Sequence, residues 1–361
     1  MSYEIRYFRL GDEVEIIELL RSAFPRWAEL DSALDLWKWK YLDNPLNSDI
    51  VVAEYDGHVV GVNHDARVYI KIGETSTLSH LDGNTVVDPA QRGKGLASKI
   101  AYFSRDLRRE NNVNFTLWSS SNPIIIDFDR RLGLGVFPHL ISCMVRIKDI
   151  HAHLRARKSK KPLAKKYGYQ LLKNLMKIRN TFSPGELGKL GSIEIVDAPN
   201  FCPQIDTFWG KVRGHYNYAL ERNSLYLNWR YTDPRAGKFV IKQAVEGDQI
   251  LGYVILESKK EGGYSEGYIS DLLASPNRDD VADTLMAEAC SYFDRLNINS
   301  INFWVAKNHP YLGIAERHGF LDSRYKIYIG CSRGADRAEF SRIESSPPSK
   351  VHFQFGDMDL F

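Results

Sequence analysis

Eighteen residues concentrate the chemistry of this chain: His80 to Ala97, HLDGNTVVDPAQRGKGLA. They read as a strand, a proline turn, a glycine-rich loop and the first turn of a helix. Arg92-Gly93-Lys94-Gly95-Leu96-Ala97, just after Gln91, fits the pattern Arg/Gln-x-x-Gly-x-Gly/Ala. Such a loop points successive backbone N–H groups out of a helix N-terminus, and the dipole behind them favours negative charge, so it suits a pyrophosphate. Gly93 and Gly95 relieve the backbone of a Cβ that would block close approach or forbid the required φ. Arg92 and Lys94 add positive charge. The spacing is neither the three-glycine dinucleotide fingerprint nor a Walker loop. On the strand leading in, alternation puts His80, Asp82, Asn84 and Val86 on one face. Asp82 is the first candidate for a general base that deprotonates an amine, and His80 the second, directly or through water. A solvated or ion-paired carboxylate is the structural alternative for Asp82.

The loop keeps informative company. Thr85-Val86-Val87-Asp88-Pro89 precedes it, and Asn122, Phe128 and Gly133 follow at increasing distance. This set resembles the GNAT superfamily of acyl-CoA-dependent N-acyltransferases over residues 1–145. The resemblance implies a strand splayed from its neighbour by a bulge. The backbone around Val86 and Val87 would meet the acyl carbonyl, residues 91–97 the pyrophosphate of coenzyme A, and Asn122 the pantetheine arm. It implies acetyl-CoA or another acyl-CoA as co-substrate and no metal. The family's usual proton donor to the leaving thiolate is a Tyr seven residues after the Asn. Here that position is Asp129, which an ionised carboxyl cannot fill, so no general acid is assigned.

The elements that must position these residues occur twice. Trp39-Lys40-Tyr41 is echoed by Trp229-Arg230-Tyr231. Tyr41 and Gly57 stand sixteen residues apart, as do Tyr231 and Gly247; Asn122 to Gly133 and Asn308 to Gly319 each span eleven. An internal duplication follows. The expected fold is α/β (α+β): two tandem GNAT-like domains, each a mixed, mostly antiparallel central sheet flanked by helices. Residues 1–148 are expected to be catalytic, 149–190 a basic helical linker, 191–335 a degenerate second copy on the acceptor side, and 336–361 a tail. In the second copy Arg278-Asp279-Asp280-Val281-Ala282 replaces the loop: both glycines are gone and two carboxylates face the phosphate position.

Composition bounds the rest. The 361 residues are 43% hydrophobic and 26% charged, as in globular proteins, and a net charge of +3 calls for no nucleic-acid partner. Cys143, Cys202, Cys290 and Cys331 are scattered, which argues against zinc or a disulfide framework and fits a reducing cytoplasm. Residues 151–180 hold ten Lys or Arg and no Asp or Glu, with Leu163, Tyr167, Leu171, Leu175 and Ile178 along one helical face. That helix fits weak contact with the inner face of a membrane, or a linker helix packed on one domain with a solvated basic side. In the tail, Val351, Phe353 and Phe355 alternate as in a half-buried strand, and Asp357 and Asp359 follow, either at the acceptor cleft or in a frayed terminus. Asn84, Trp229, Asp357 and Asp359 are the candidate acceptor-binding residues. The resemblance implies transfer to a primary amine of a small molecule. The tandem layout with a basic linker also resembles GNAT proteins of bacterial surface-polysaccharide synthesis, hence a saccharide-linked amine. The alternatives are a non-catalytic acyl-CoA sensor and a Fem-type aminoacyl transferase.

Overall fold

The computed structural model of the chain describes residues 3–113, 115–122, 126–127, 135–156, 193–331 and 337–358. Most of the basic stretch, residues 128–134 with Phe128, Asp129 and Gly133, and the terminal 359–361 with Asp359 lie outside the described residues. Strands β1 (Glu4–Tyr7), β2 (Ser48–Tyr55), β3 (His58–Ile72) and β4 (Thr75–Val87) run antiparallel, and β5 (Phe115–Ser120) joins β4 in parallel. Then come β6 (Gly135–Ile147), β7 (Glu194–Ala198), β8 (Tyr218–Leu220), β9 (Phe239–Glu246), β10 (Gln249–Glu261), β11 (Tyr264–Ala274), β12 (Ser300–Ala306), β13 (Leu321–Cys331) and β14 (Val351–His352). Again β7, β9, β10 and β11 are antiparallel neighbours, and β12 joins β11 in parallel.

All of these strands belong to one mostly antiparallel sheet. Its main order is β1-β2-β3-β4-β5-β13-β6-β12-β11-β10-β9-β7, with β8 bridging β3 to β14. The last strand of each half has crossed over: β6 pairs with β12, and β13 pairs with β5. Neither half can be cut away without leaving the other an unpaired edge in mid-sheet.

The helices are α1 (Glu13–Ala23), α2 (Pro25–Ala28), α3 (Ala33–Trp37), α4 (Leu96–Glu110), α5 (Ile150–Ala156), α6 (Gln204–Val212), α7 (Ser224–Tyr231), α8 (Asp279–Arg295), α9 (Tyr311–Arg317) and α10 (Arg337–Ser345). Among the described residues no helix is long and apolar enough to cross a membrane. Helix α4 buries Leu96, Ile100, Ser104 and Leu107, spaced by three or four residues as one face requires, against Val51, Ala53 and Val60. Gly61 makes room: a Cβ there would come 3.0 Å from Ile100 Cδ1. Helix α8 does the same for the second half, burying Leu285, Met286, Ala289 and Phe293. The β2–β3 hairpin closes on Asp56 and Gly57 with φ of 56° and 81°, the paired positive values of the tight turn expected from Asp-Gly.

The two halves meet at the repeated tryptophans. Trp39 and Trp229 stack with centroids 5.2 Å apart, and each indole N–H donates to the other's carbonyl oxygen, at 2.9 and 3.2 Å. The tail, far from frayed, is buried from Val351 to Met358. It begins as a strand, as its alternation predicts, but only for two residues; β14 pairs with β8, and the chain then bends into a helical turn over Phe355–Asp357.

Candidate active site

Strands β4 and β5 hold register only over Ser79–Leu81 against Phe115–Leu117. Beyond Leu81 the strands part, and among the described residues no strand covers the outer side of β4 from Asp82 to Val87. The inner side is fixed by β3. Asn63 faces Thr85 and Asp65 faces Asp82, so His64 alone opposes both Gly83 and Asn84: a β-bulge. Asp88 N–H donates to Val60 O at 2.9 Å, and an antiparallel ladder alternates hydrogen-bonded and non-bonded pairs. Pair 62/86 is therefore bonded, while 61/87 and 63/85 are not. Thr85 and Val87 turn their N–H and C=O groups outward into the divergence, whereas Val86 spends its own on Val62.

This register corrects the expected face. Alternation holds for His80 and Asp82, but the bulge shifts the phase. Thr85, not Asn84 or Val86, then shares their face, its hydroxyl bonding Asn63 Oδ1 at 2.5 Å. Val86 is buried on the other side, and by the ladder phase the outward donors of the strand are Thr85 and Val87. Thr85 was not legible beforehand, because a one-residue phase shift leaves no mark on spacing.

Below the divergence lies the loop. Gly93 and Gly95 have φ of 80° and 74°, and a Cβ on either would meet nothing within 4 Å. Backbone conformation, not crowding, is what requires glycine here. Gly95 is the N-cap of α4, offers no side-chain cap, and no acid lies in the first helical turn, so the leading N–H groups and the dipole face solvent. Gln91 braces the loop: its Oε1 accepts from Lys94 Nζ at 2.6 Å and Tyr3 Oη at 2.7 Å. Arg92 Nε donates to Val87 O at 3.3 Å, tying the loop to the strand. Leu96 anchors the helix in the core while Ala97 is exposed. Asn122 is exposed beyond β5, and its carbonyl accepts from Ile126 N at 3.1 Å, opening a helical turn. These residues make a cradle of outward N–H groups at an uncapped helix start, with an unpaired strand edge above it.

The proposed bases separate. Asp82 is half-buried one residue before the bulge, across from Asp65. His80 is sealed in the core, with Nε2 2.6 Å from Asp49 Oδ2 and Nδ1 3.6 Å from Asp65 Oδ2. Arg67 clasps Asp49 with two bonds of 3.0 and 2.7 Å. Burial alone would push the Asp49 carboxyl up, but the bonds from His80 and Arg67 hold it below the usual carboxylate range. His80 thus serves an interior ion cluster beneath α4 and does not reach the divergence.

The acceptor candidates also fall apart. Asn84 stays at the bulge, half-buried. Trp229 gives its face to Trp39, and with Asn44, Leu46, Tyr69 and Tyr226 it lines a small pocket at the junction of the halves. Asp357 faces inward, not a cleft. It takes two bonds from Arg222 Nη2, at 2.8 and 2.6 Å, and Arg222 Nε reaches Asp271 at 3.0 Å. Asp271 also binds Tyr253 Oη at 2.8 Å and His352 Nε2 at 3.0 Å. Burial opposes ionisation of Asp271, but Arg222 holds its carboxyl well below the usual range. The cluster is a buried clasp on the tail. Among the described residues no group of His, Cys, Asp and Glu is placed to hold a metal.

A strand that parts from its parallel neighbour just before a bulge, above a glycine loop at a helix N-terminus, is the arrangement that the GNAT resemblance implies. Residues 4–136 match the family model of the acetyltransferase (GNAT) domain, and the protein is an acyltransferase carrying that domain. Its co-substrate is an acyl-CoA and its acceptor in general a small-molecule amine. Solved structures share the fold over most of the chain. One is a conserved protein of unknown function from Enterococcus faecalis V583, described as a probable N-acyltransferase (TM-score 0.62, 10% identity, 92% of this chain and 72% of that one). Another is a GCN5-related N-acetyltransferase from Anabaena variabilis ATCC 29413 (0.62, 10%, 91% and 72%). A third is Eis1 from Mycobacterium abscessus (0.54, 13%, 91% and 73%). No curated protein matches the sequence.

Proposed function

We propose that the chain transfers an acetyl group from acetyl-CoA to a primary amine on a small or saccharide-linked acceptor by direct attack, using the divergence of β4 and β5 as its site. The observation that carries this is the pair of outward N–H groups on Thr85 and Val87, set above the cradle of Gly93 and Gly95. The cradle and Arg92 and Lys94 receive the pyrophosphate. Val87 pairs with the amide-bearing arm, and Thr85 N–H meets the acyl carbonyl oxygen, where negative charge grows in the transition state. The amine lone pair forms the C–N bond, and collapse of the tetrahedral adduct breaks C–S and releases thiolate. The nitrogen gives its proton to Asp82, directly or through water, and the thiolate takes one from solvent. Residues 191–335 act as the scaffold that walls the acceptor side and bind no cofactor.

Thiol release from acetyl-CoA across a panel of amines, with calorimetric binding in parallel, tests the proposal. Turnover of at least one amine, reduced about 10²-fold or more in Asp82→Asn with acetyl-CoA affinity unchanged, is the expected result. Binding with no turnover of any amine would make the chain a sensor, and turnover only with aminoacyl-tRNA would make it Fem-type.

A further inference from the structure

Directly behind the outward N–H of Thr85 stands a histidine that neither spacing nor any motif marks. His64 is fully buried opposite the bulge. Its Nε2 lies 2.9 Å from Trp37 Nε1 and its Nδ1 lies 2.8 Å from the carbonyl oxygen of Asn84. An indole N–H can only donate, so Nε2 must accept and is unprotonated. The proton therefore sits on Nδ1 and is donated to Asn84 O. The ring is neutral, in one tautomer, with both nitrogens engaged. It is also clamped flat: the Tyr41 ring stacks on it at 4.4 Å and 23°. Gly83 permits this packing, since a Cβ there would come 2.7 Å from Tyr41 Oη and 3.2 Å from His64 Cβ.

The carbonyl that His64 holds belongs to the same peptide unit as Thr85 N–H. In a planar trans peptide these two bonds point in opposite directions, and the chain has no cis peptides among the described residues. Anchoring Asn84 O toward His64 therefore aims Thr85 N–H away from it, as the ladder alternation independently requires. A bulge peptide lacks the regular ladder bond that would otherwise fix its plane. The second half shows what such an outward N–H can do. Leu272 stands four residues before Pro276, as Thr85 does before Pro89, and follows the bulge at Ser270. Its N–H donates to an amide carbonyl oxygen, Gln354 Oε1, at 2.8 Å. There Ile255, not a histidine, faces the bulge.

We propose that His64 is a positioning residue of the acyl-transfer site, one that holds the Asn84–Thr85 peptide so that Thr85 N–H points at the thioester carbonyl. It touches no substrate and exchanges no proton; its Trp37 and Tyr41 contacts keep the donor at Nδ1. This rests on the function proposed above.

Three variants separate the donor from the ring. His64→Phe keeps an aromatic ring for Tyr41 and removes the donor. His64→Asn places an amide N–H near the Nδ1 position without the ring, and His64→Gln carries its amide further out, near Nε2. Each is read by calorimetric affinity for acetyl-CoA, by kcat, and by the infrared stretch of a ¹³C-labelled thioester carbonyl bound without acceptor. Expected is a carbonyl stretch lowered on binding in the wild type. The lowering should be largely lost in Phe and Gln and largely kept in Asn. In Phe and Gln kcat should fall about 10-fold or more at nearly constant acetyl-CoA Kd, because the misdirected donor acts on the developing charge. Equal losses in Asn and Phe would assign the effect to ring packing and overturn the proposal, as would a normal carbonyl stretch and kcat in Phe. If Phe fails to fold, the contrast between Asn and Gln decides alone. Failure of wild-type protein to bind acetyl-CoA would instead overturn the function on which this rests.

Discussion

The two divergences in the sheet, one in each half, have opposite fates. In the first, β4 leaves β5 after Leu81 and the loop below offers two glycines and an uncapped helix N-terminus. In the second, β11 leaves β12 after Ile269, and the chain's own tail runs in. Gln354 pairs its side-chain amide with both backbone groups of Leu272, at 2.8 and 2.9 Å, and bridges to Val305. Phe355 stacks on Tyr268 at 4.5 Å and meets Trp304 edge-on, and Met358 reaches the core of the first half. The helix start below carries Asp279 and Asp280 in its first turn; Asp280 is held low by its bond to Arg278. Carboxylates at that end satisfy the helix dipole from within, and would repel a phosphate. The same strand geometry thus stands over a glycine loop in one place and takes a self-contact in the other, and what differs is a few residues at the helix start and the last turn of the chain.

Removing the self-contact should have the largest effect. Ending the chain at Lys350 strips Phe353, Phe355 and Met358 from buried sites and takes both His352 and Asp357 from the Arg222–Asp271 cluster. Losing three large apolar side chains at about 2 kcal/mol each and a buried charge partner at about 3–5 kcal/mol approaches the whole stability of a domain. A cooperative thermal transition should be lost or fall by about 10 °C or more; a melt like that of the full chain would show that the tail is no part of the second half.

Next in size is the other divergence. Gly95→Asp puts a carboxylate into the cradle and should weaken acetyl-CoA binding about 100-fold or more by calorimetry, from charge repulsion at an anion site. The melt should fall only modestly: the side chain meets open space, but a non-glycine residue at φ 74° costs about 1 kcal/mol of backbone strain. The reciprocal change, Asp280→Gly, should create no second site, because Gln354 still fills the strand edge.

Smaller again, Gln354→Leu removes the partners of Leu272 and should cost about 1–3 kcal/mol in denaturant unfolding, the penalty of buried unsatisfied peptide groups, with acetyl-CoA affinity unchanged. The smallest effect is on acid stability. Asp49 has a folded pKa below its unfolded value of about 3.9, so its contribution is complete above that pH and is lost as pH falls through the folded value. Asp49→Asn should therefore flatten the loss of stability between about pH 5 and pH 2 relative to wild type. Equal acid slopes would remove the ion cluster around His80 from the account.

What the sequence disclosed tracks the range of the interactions involved. The cradle from Gln91 to Ala97 and the Asp56-Gly57 hairpin depend on local φ preferences, and both stand where spacing put them. The phase of β4 turns on a bulge opposite His64, which packs with Trp37 and Tyr41 from other elements, and alternation alone groups His80 and Asp82 with Asn84 and Val86. The crossing of β6 and β13 pairs residues from opposite halves, and periodicity within a strand carries no record of its partner. Asp357 reads as an acid of the acceptor cleft or of a frayed terminus because Arg222, its partner, lies 135 residues away.

The most direct test of the contrast between the halves is the stoichiometry of acetyl-CoA binding to the full-length wild-type chain, measured by titration calorimetry. The account predicts one site per chain. Two equivalent sites would mean that the tail yields the second divergence to a ligand, and no binding would mean that the cradle of Gly93 and Gly95 is not an acyl-CoA site; either result contradicts it.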